Sequence, residues 1–422
     1  MQKSHFELDV VVIINFSVKN FRSIKDEIIL EFNASSDKDH PNFITETKYC
    51  NILNAAAVYG LNASGKSNLI RAMQLFSILL NLSVRNETLL SQLVVPFAFD
   101  NQSTEMPSEF NINFISENVR YEYGFSADSQ QIYSEWLYAY PNKKAQLLFT
   151  REWQNNKYEY KFGLNYRGDK KRLEEITKPT ALFLSVAQSF DKQETANIIK
   201  NWFAKFFIEN LHLSGNIEIG KSRTIDFIQR GLVTHNEVIQ FLTESDLSIV
   251  HFDIKEDESS DDQLPPAIKE FILKNQIKKQ PIVITEHHVN NSPYQLTLND
   301  ESSGTQQMFN FAALVVLVLK NGGVLVIDEL NNFLHPLLVK HIVGLFGAAE
   351  TNPKRAQLIF TTHETSIMTT DFLRRDQIWF CDKSKEQSTM LYSAQEFSPR
   401  KTDNLEKAYL AGRYGAIPIF MD

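Results

Sequence analysis

The stretch Gly60-Leu61-Asn62-Ala63-Ser64-Gly65-Lys66-Ser67 constrains this chain more than any other. It has the spacing GxxxxGK[ST], in which glycines, a lysine and a hydroxyl residue stand at fixed offsets. An apolar run, 54–59, leads into it. Residues 67–83 follow with apolar side chains at helical spacing: Leu69, Ile70, Met73, Phe76, Leu79 and Leu80. A buried strand, a glycine-bearing loop and an amphipathic helix in that order predict an α/β layer. The glycines let the loop curl so that its N–H groups converge, and the helix N-terminus adds partial positive charge. Such a loop cradles phosphate. Lys66 then reaches the β- and γ-phosphates of a nucleotide, and Ser67 offers its hydroxyl to Mg²⁺.

Three further segments end in polar residues of a matching kind. The apolar run Val324-Leu325-Val326-Ile327 ends in Asp328-Glu329. Alone, this is a strand finished by solvated acids. Beside a phosphate-binding loop, Asp328 is placed to hold the Mg²⁺ shell and Glu329 to polarise an attacking water. The run Gln357-Leu358-Ile359-Phe360-Thr361-Thr362 leads to His363-Glu364. Asp300-Glu301-Ser302-Ser303-Gly304-Thr305-Gln306-Gln307 precedes a helix running to about Leu319. In the plainest reading Ser303 or Thr305 caps that helix.

Here the chain resembles the ABC-type ATPases. Ser303-Gly304-Thr305-Gln306 looks like their signature motif, a serine–glycine turn at a helix N-terminus. The resemblance implies that Ser303, Gly304 and Gln306 contact the γ-phosphate of ATP held by a partner protomer's P-loop. It also makes His363 the switch histidine, facing the γ-phosphate or the attacking water. P-loop, signature, acid pair and histidine occur in the family's order. Asn20-Phe21-Arg22-Ser23, together with Asn62 and Asn68, resembles the RecF/SMC-type clade, with Ala63 where glycine is usual. Residues 301–307, Leu334-His335-Pro336, Pro179–Ser185 and Tyr409–Pro418 are similar to the AAA15 group of ATPases related to the OLD family. That group includes ATPases of abortive-infection and PARIS-type phage-defence systems, which work with a separately encoded effector. OLD nucleases carry a C-terminal Toprim domain. The stretch after His363 is short for one, and Asp371, Asp376 and Asp382 are spaced like surface loops. The chain is therefore not expected to cut nucleic acid itself.

The function so implied is an ATP-hydrolysing sensor with ATP and Mg²⁺ as its cofactors. Its sites are completed head to head by a second copy, giving a homo-oligomer. The expected partners are a nuclease or Toprim-like effector and a phage protein as trigger. Two competing readings stand beside it: a RecF/SMC-like ATPase of DNA repair or maintenance, and a scaffold that binds ATP without hydrolysing it. A net charge of −8 and the lack of heptads speak against the first. Asp328, Glu329 and His363 speak against the second. Nucleic-acid binding stays open, and no glutamine is firmly placed as Mg²⁺ sensor, Gln92 and Gln102 being the candidates.

The expected fold is an α/β, ABC-type P-loop ATPase head with an antiparallel β subdomain and an inserted, mainly helical arm or lid. Residues 1–166 carry the first part of the head, including strands at 11–18 and 28–32 and alternating sequence from about Phe97 to Tyr160. The insertion spans 167–280 and contains the acidic, proline-ended stretch Glu256–Pro266. Residues 281–422 complete the head with strands alternating with helices. No run approaches the roughly 20 apolar residues of a membrane span. Cys50 and Cys381 have no paired spacing, so a cytoplasmic location is expected. His287 and His288, adjacent in a strand, point to opposite faces and are read as structural.

Overall fold

A computed structural model describes residues 10–190, 194–209, 217–245, 247–256, 281–399 and 403–418. The acidic stretch beyond Glu256 lies outside them. The chain divides into two compact units: residues 1–210, 318–331 and 339–422, and residues 211–317 and 332–338.

Eighteen strands occur among the described residues. In the first unit β1 (Val12–Lys19), β2 (Ile28–Glu31), β3 (Ile44–Glu46), β4 (Asn51–Leu53) and β5 (Ala55–Gly60) precede the helix α1 (Lys66–Leu82). There follow β6 (Ser108–Ser116), β7 (Val119–Ala127), β8 (Ile132–Tyr140), β9 (Gln146–Gln154), β10 (Lys157–Phe162) and β11 (Phe206–Glu209). The second unit holds β12 (Ile249–Lys255), β13 (Ile282–Val289) and β14 (Ser292–Thr297). The chain returns to the first with β15 (Val324–Ile327), β16 (Gln357–Thr361), β17 (Ile378–Lys383) and β18 (Thr389–Ser393).

Two sheets build the first unit. One runs β11-β15-β16-β5-β17-β18, parallel except for the last pair. Its strands β5, β15 and β16 are buried along their whole length. That is why they read as unbroken apolar runs, as parallel strands covered on both faces do. The other sheet is antiparallel, in the order β10-β9-β8-β7-β6-β1-β2. One apolar core joins both sheets and α1. Phe76 of α1 lies 5.2–6.0 Å, centroid to centroid, from Phe16, Tyr123, Phe125 and Phe203. The side chain of Gln357 stitches the sheets together. Its Oε1 accepts from Ile13 N at 2.6 Å, while its Nε2 donates to Ile13 O at 3.1 Å and Leu53 O at 2.9 Å.

Residues 170–209, expected within the insertion, pack in the first unit. Leu182, Phe183, Leu184, Trp202 and Phe203 enter its apolar core, where a buried ion pair also holds the segment. Glu135 of β8 accepts hydrogen bonds from Phe183 N, Leu184 N and Tyr123 Oη at 2.6–2.9 Å. Arg151 of β9, 3.8 Å from Glu135, donates to Ala181 O and Lys178 O and stacks 3.9 Å from the Tyr158 ring. Pro179–Ser185 thus docks on the antiparallel sheet through its backbone. Ser185 Oγ adds a bond to Leu80 O of α1 at 2.6 Å. Two local expectations change. Phe206–Glu209, read as helical, is a strand pairing parallel with β15; four residues are too few to distinguish the two by period. Between β16 and β17 stand only 3₁₀ turns, Thr365–Ile367 and Arg375–Gln377, instead of a helix. There Glu364 and Thr369 side chains take the N–H groups of Ser366 and Asp371, competing with helical bonds.

In the second unit β12, β13 and β14 form an antiparallel sheet. Asn290 and Asn291, at φ 50° and 62°, make its tight hairpin. The helix His235–Glu244 opens with a capping box of Thr234 and Glu237. His287 and His288 bond different carboxylates, Glu301 and Glu286, and do not converge. Among the described residues no cluster of three or more His, Cys, Asp or Glu side chains suits a metal ion.

Candidate nucleotide site

β5 delivers the chain into the loop, and the loop closes onto α1 at Gly65. Gly60 has φ 152°, and a Cβ there would stand 2.1 Å from Cys381 O. Gly65 has φ 111°, and its Cβ would fall 2.0 Å from Thr389 Oγ1. Only glycine fits at either place. Ala63 is held at φ 62°, a left-handed conformation that favours glycine.

Around the loop, hydroxyls and amides form a second ring. Ser23 Oγ lies 2.7 Å from Thr389 Oγ1 and accepts from Asn68 Nδ2 at 2.7 Å. Thr389 Oγ1 donates to Ser64 O at 2.9 Å, and Arg71 Nη1 donates to Asn68 Oδ1 at 3.0 Å. Asn68 is therefore the tie between the loop helix and the Asn20–Ser23 turn.

Residues 61–68, Arg71, Glu329 and His363 line one cavity of about 400 Å³. That volume lies in the range of small-molecule sites, roughly 300–1,000 Å³. Lys66 Nζ donates to Gly60 O and Leu61 O, each at 2.8 Å. Burial lowers the Lys66 pKa, against the opposing pull of Cys381, Asp328 and Glu329. The His363 imidazole is likewise pushed below its usual value, first by burial and then by Lys66, with Glu329 and Asp328 opposing. It favours the neutral ring.

Asp328 is fully buried. Thr361 Oγ1 donates to its Oδ1 at 2.6 Å, while Oδ2 has no protein partner. An orphaned carboxylate oxygen at the end of β15 suits a hard divalent cation, and the Ser67 hydroxyl lines the same cavity as Glu329, the next residue. Glu329, next in sequence, stands at φ 55°, a left-handed conformation rare for glutamate. Its N–H donates to Thr361 Oγ1 at 2.7 Å. His363 is held through its backbone: its N–H and the Thr362 hydroxyl both donate to Asn331 Oδ1 at 3.0 Å.

Residues 60–68, Glu329 and His363 are thus gathered in the first unit, with Asp328 behind them. Ser303, Gly304 and Gln306 belong to the second unit. There Ser302, not Ser303 or Thr305, supplies the cap: its Oγ accepts from Thr305 N at 3.1 Å. Ser303 is exposed in the first turn. A Cβ on Gly304 would stand 3.0 Å from Phe333 O. Gln306 donates to Asn299 O and Glu301 O, so its amide braces the turn. Gln92 and Gln102 are exposed and do not line the cavity.

Arg71 and the role of Thr361 escaped the sequence reading. Arg71 lies five residues past Lys66 on the loop helix, and Thr361 is a hydroxyl at the end of an otherwise apolar strand; those were the available signals. The tail also finds its place. Tyr409 and Tyr414 stack on Phe380 at 5.3 Å, Tyr409 Oη donates to Ala416 O, and Ala416 N donates to Asp382. Tyr409, Leu410 and 416–418 thereby wall a second cavity of about 460 Å³ beside Gly60–Asn62 and His363.

No curated protein matches the chain in sequence. Solved structures similar to it include the SMC head domain from Thermotoga maritima, at 11% identity, covering 90% of this chain and 98% of that one, with a TM-score of 0.42. Another is the Smc head domain with an extended coiled coil bound to the C-terminal domain of ScpA derived from Pyrococcus furiosus (13%; 92% and 97%; 0.42). A third is an SmcHead bound to the C-winged helix domain of ScpA (15%; 90% and 97%; 0.40). Residues 55–369, from the first strand of the loop motif to beyond His363, match the family described as "AAA domain, putative AbiEii toxin, Type IV TA system", and the chain belongs to that family.

Proposed function

We propose that this protein binds and hydrolyses ATP between two copies of itself, and that the paired state governs a separately encoded effector in anti-phage defence. The observation that carries the reading is the single cavity lined by the loop, Glu329 and His363, with the unpartnered Oδ2 of Asp328 behind it. The loop N–H groups and Lys66 bind the β- and γ-phosphates, for which Lys66 exchanges its two loop carbonyls. Ser67 and Asp328 would hold Mg²⁺, which when bound neutralises charge developing on the phosphate oxygens. Glu329 orients and deprotonates the attacking water. A neutral His363 donates one N–H toward the γ-phosphate, oriented through Asn331.

The second copy supplies Ser303 and Gly304. An exposed serine in the first turn, with the cap already provided by Ser302, leaves the helix N-terminus turned to an incoming anion. ATP contacting both copies stabilises only the paired state and so shifts its population. The defence role draws support from the family's description, which names a putative toxin, and from the resemblance of residues 179–185 and 409–418.

Phosphate release by the purified protein tests the chemistry. Lys66→Ala should lose ATP binding. Glu329→Gln should bind ATP and accumulate as a dimer in size-exclusion chromatography with scattering detection. Normal turnover by Glu329→Gln removes the assigned base, and full-rate hydrolysis by an isolated monomer removes the shared site. In an infected bacterial host, protection that survives Lys66→Ala removes the ATP control of defence, and no protection by the unaltered protein removes the defence role.

A further inference from the structure

The geometry points to Thr361 as a positioning residue that aims Asp328 at the metal and locks Glu329 in its left-handed conformation, an inference that rests on the nucleotide reading above. Thr361 is fully buried at the end of β16 and touches three consecutive residues after β15. Its Oγ1 donates to Asp328 Oδ1 at 2.6 Å and accepts from Glu329 N at 2.7 Å; its carbonyl accepts from Leu330 N at 3.0 Å. The direction of these bonds is fixed by chemistry. A backbone N–H can only donate, so the hydroxyl hydrogen is released to the carboxylate, which accepts.

Two consequences follow for the site. With Oδ1 occupied, the carboxylate rotamer is set and Oδ2 is the oxygen left for a cation. Glu329 at φ 55° cannot offer its N–H to a regular ladder, and the Thr361 hydroxyl receives it instead. One side chain therefore stabilises both a metal-facing carboxylate and a strained backbone at the water-activating glutamate. Such strain persists where surrounding bonds over-determine it. Valine reproduces the shape of threonine but can neither donate to Asp328 nor accept from Glu329. Serine keeps both functions.

The test compares Thr361→Val and Thr361→Ser with the unaltered protein. Binding of a fluorescent ATP analogue is titrated with Mg²⁺ and again in EDTA, beside thermal unfolding and phosphate release. Outer bonds to metal ligands contribute about 10–100-fold in metal affinity or activity. Thr361→Val should raise the Mg²⁺ concentration for half-maximal binding by about 10-fold or more, leave binding in EDTA within about 2-fold, and slow phosphate release. Thr361→Ser should restore the Mg²⁺ response. A merely structural role would weaken binding equally with and without Mg²⁺, and that result overturns the inference, as does a valine variant with an unchanged Mg²⁺ midpoint. If Thr361→Val does not fold, Thr361→Ala takes its place with the same expected results. Unaltered protein that binds no nucleotide with Mg²⁺ overturns the proposed function and this inference with it.

Discussion

The buried pair Glu135–Arg151 supports a prediction in which the two partners are not equivalent. Both side chains are fully buried. Glu135→Leu removes the acceptor for Phe183 N, Leu184 N and Tyr123 Oη and strands a guanidinium with two carbonyls and the rings of Tyr158 and Tyr160. Arginine cannot shed its proton, so the charge stays buried. Breaking a buried pair this way costs about 3–5 kcal/mol, against a total stability of roughly 5–15 kcal/mol. Arg151→Met instead strands a carboxyl that can protonate. Burial already raises the Glu135 pKa, with Arg151 as the chief opposing influence. Removing Arg151 raises it further. A carboxyl whose folded pKa lies above its unfolded value contributes stability at low pH that is lost as pH rises through the folded pKa. Arg151→Met should therefore lose about 3 kcal/mol near pH 8 and recover much of it toward pH 5, while Glu135→Leu shows no such recovery. Urea unfolding followed by tryptophan fluorescence at several pH values gives the midpoints. Equal deficits in the two variants at every pH, or a Glu135→Leu loss under about 1 kcal/mol, refute the reasoning.

Other outcomes are as specific. Ala63→Gly should stabilise the protein by up to about 1 kcal/mol, because relief of the left-handed alanine exceeds the entropy a glycine adds to the unfolded chain; a loss in thermal unfolding contradicts this. Gly65→Ala should weaken nucleotide binding by about 10-fold or more, since its Cβ overlaps Thr389 and its φ is open only to glycine; equilibrium binding within about 2-fold of the unaltered protein rejects it. Because burial and Lys66 hold His363 below its usual 6.5, the acid limb of phosphate release that His363 controls should fall below that pH and vanish in His363→Gln. A limb above pH 6.5 that depends on His363 shows the opposite electrostatics.

The frame of the candidate site was legible because it is local and periodic. β5, the loop and α1 follow one another within 30 residues, and burial on both faces makes β15 and β16 continuous apolar runs. Asn290-Asn291 is a local turn signal too, a pair that tolerates positive φ. What stayed hidden depends on partners distant in sequence. β11 is a strand only because β15 lies beside it, and its four residues carry no period of their own. The role of Pro179–Ser185 needs Glu135 and Arg151, and that of Ser23 needs Thr389, 366 positions away. Thr361 looked like one more β-branched strand residue. Its hydroxyl acquires meaning only when Glu329 turns left-handed and presents an N–H that the ladder cannot use.

β16 is pinned at both extremities. At one, the amide of Gln357 clasps the antiparallel layer; at the other, the alcohol of Thr361 clasps the acidic pair. A rod fastened twice does not stretch. A shift of His363 would therefore pass on to the turns at 364–377, which Thr365, Arg374 and Arg375 tie to Glu406, Asp39 and Asp37. Those turns are where a change in the nucleotide should first become visible to another molecule.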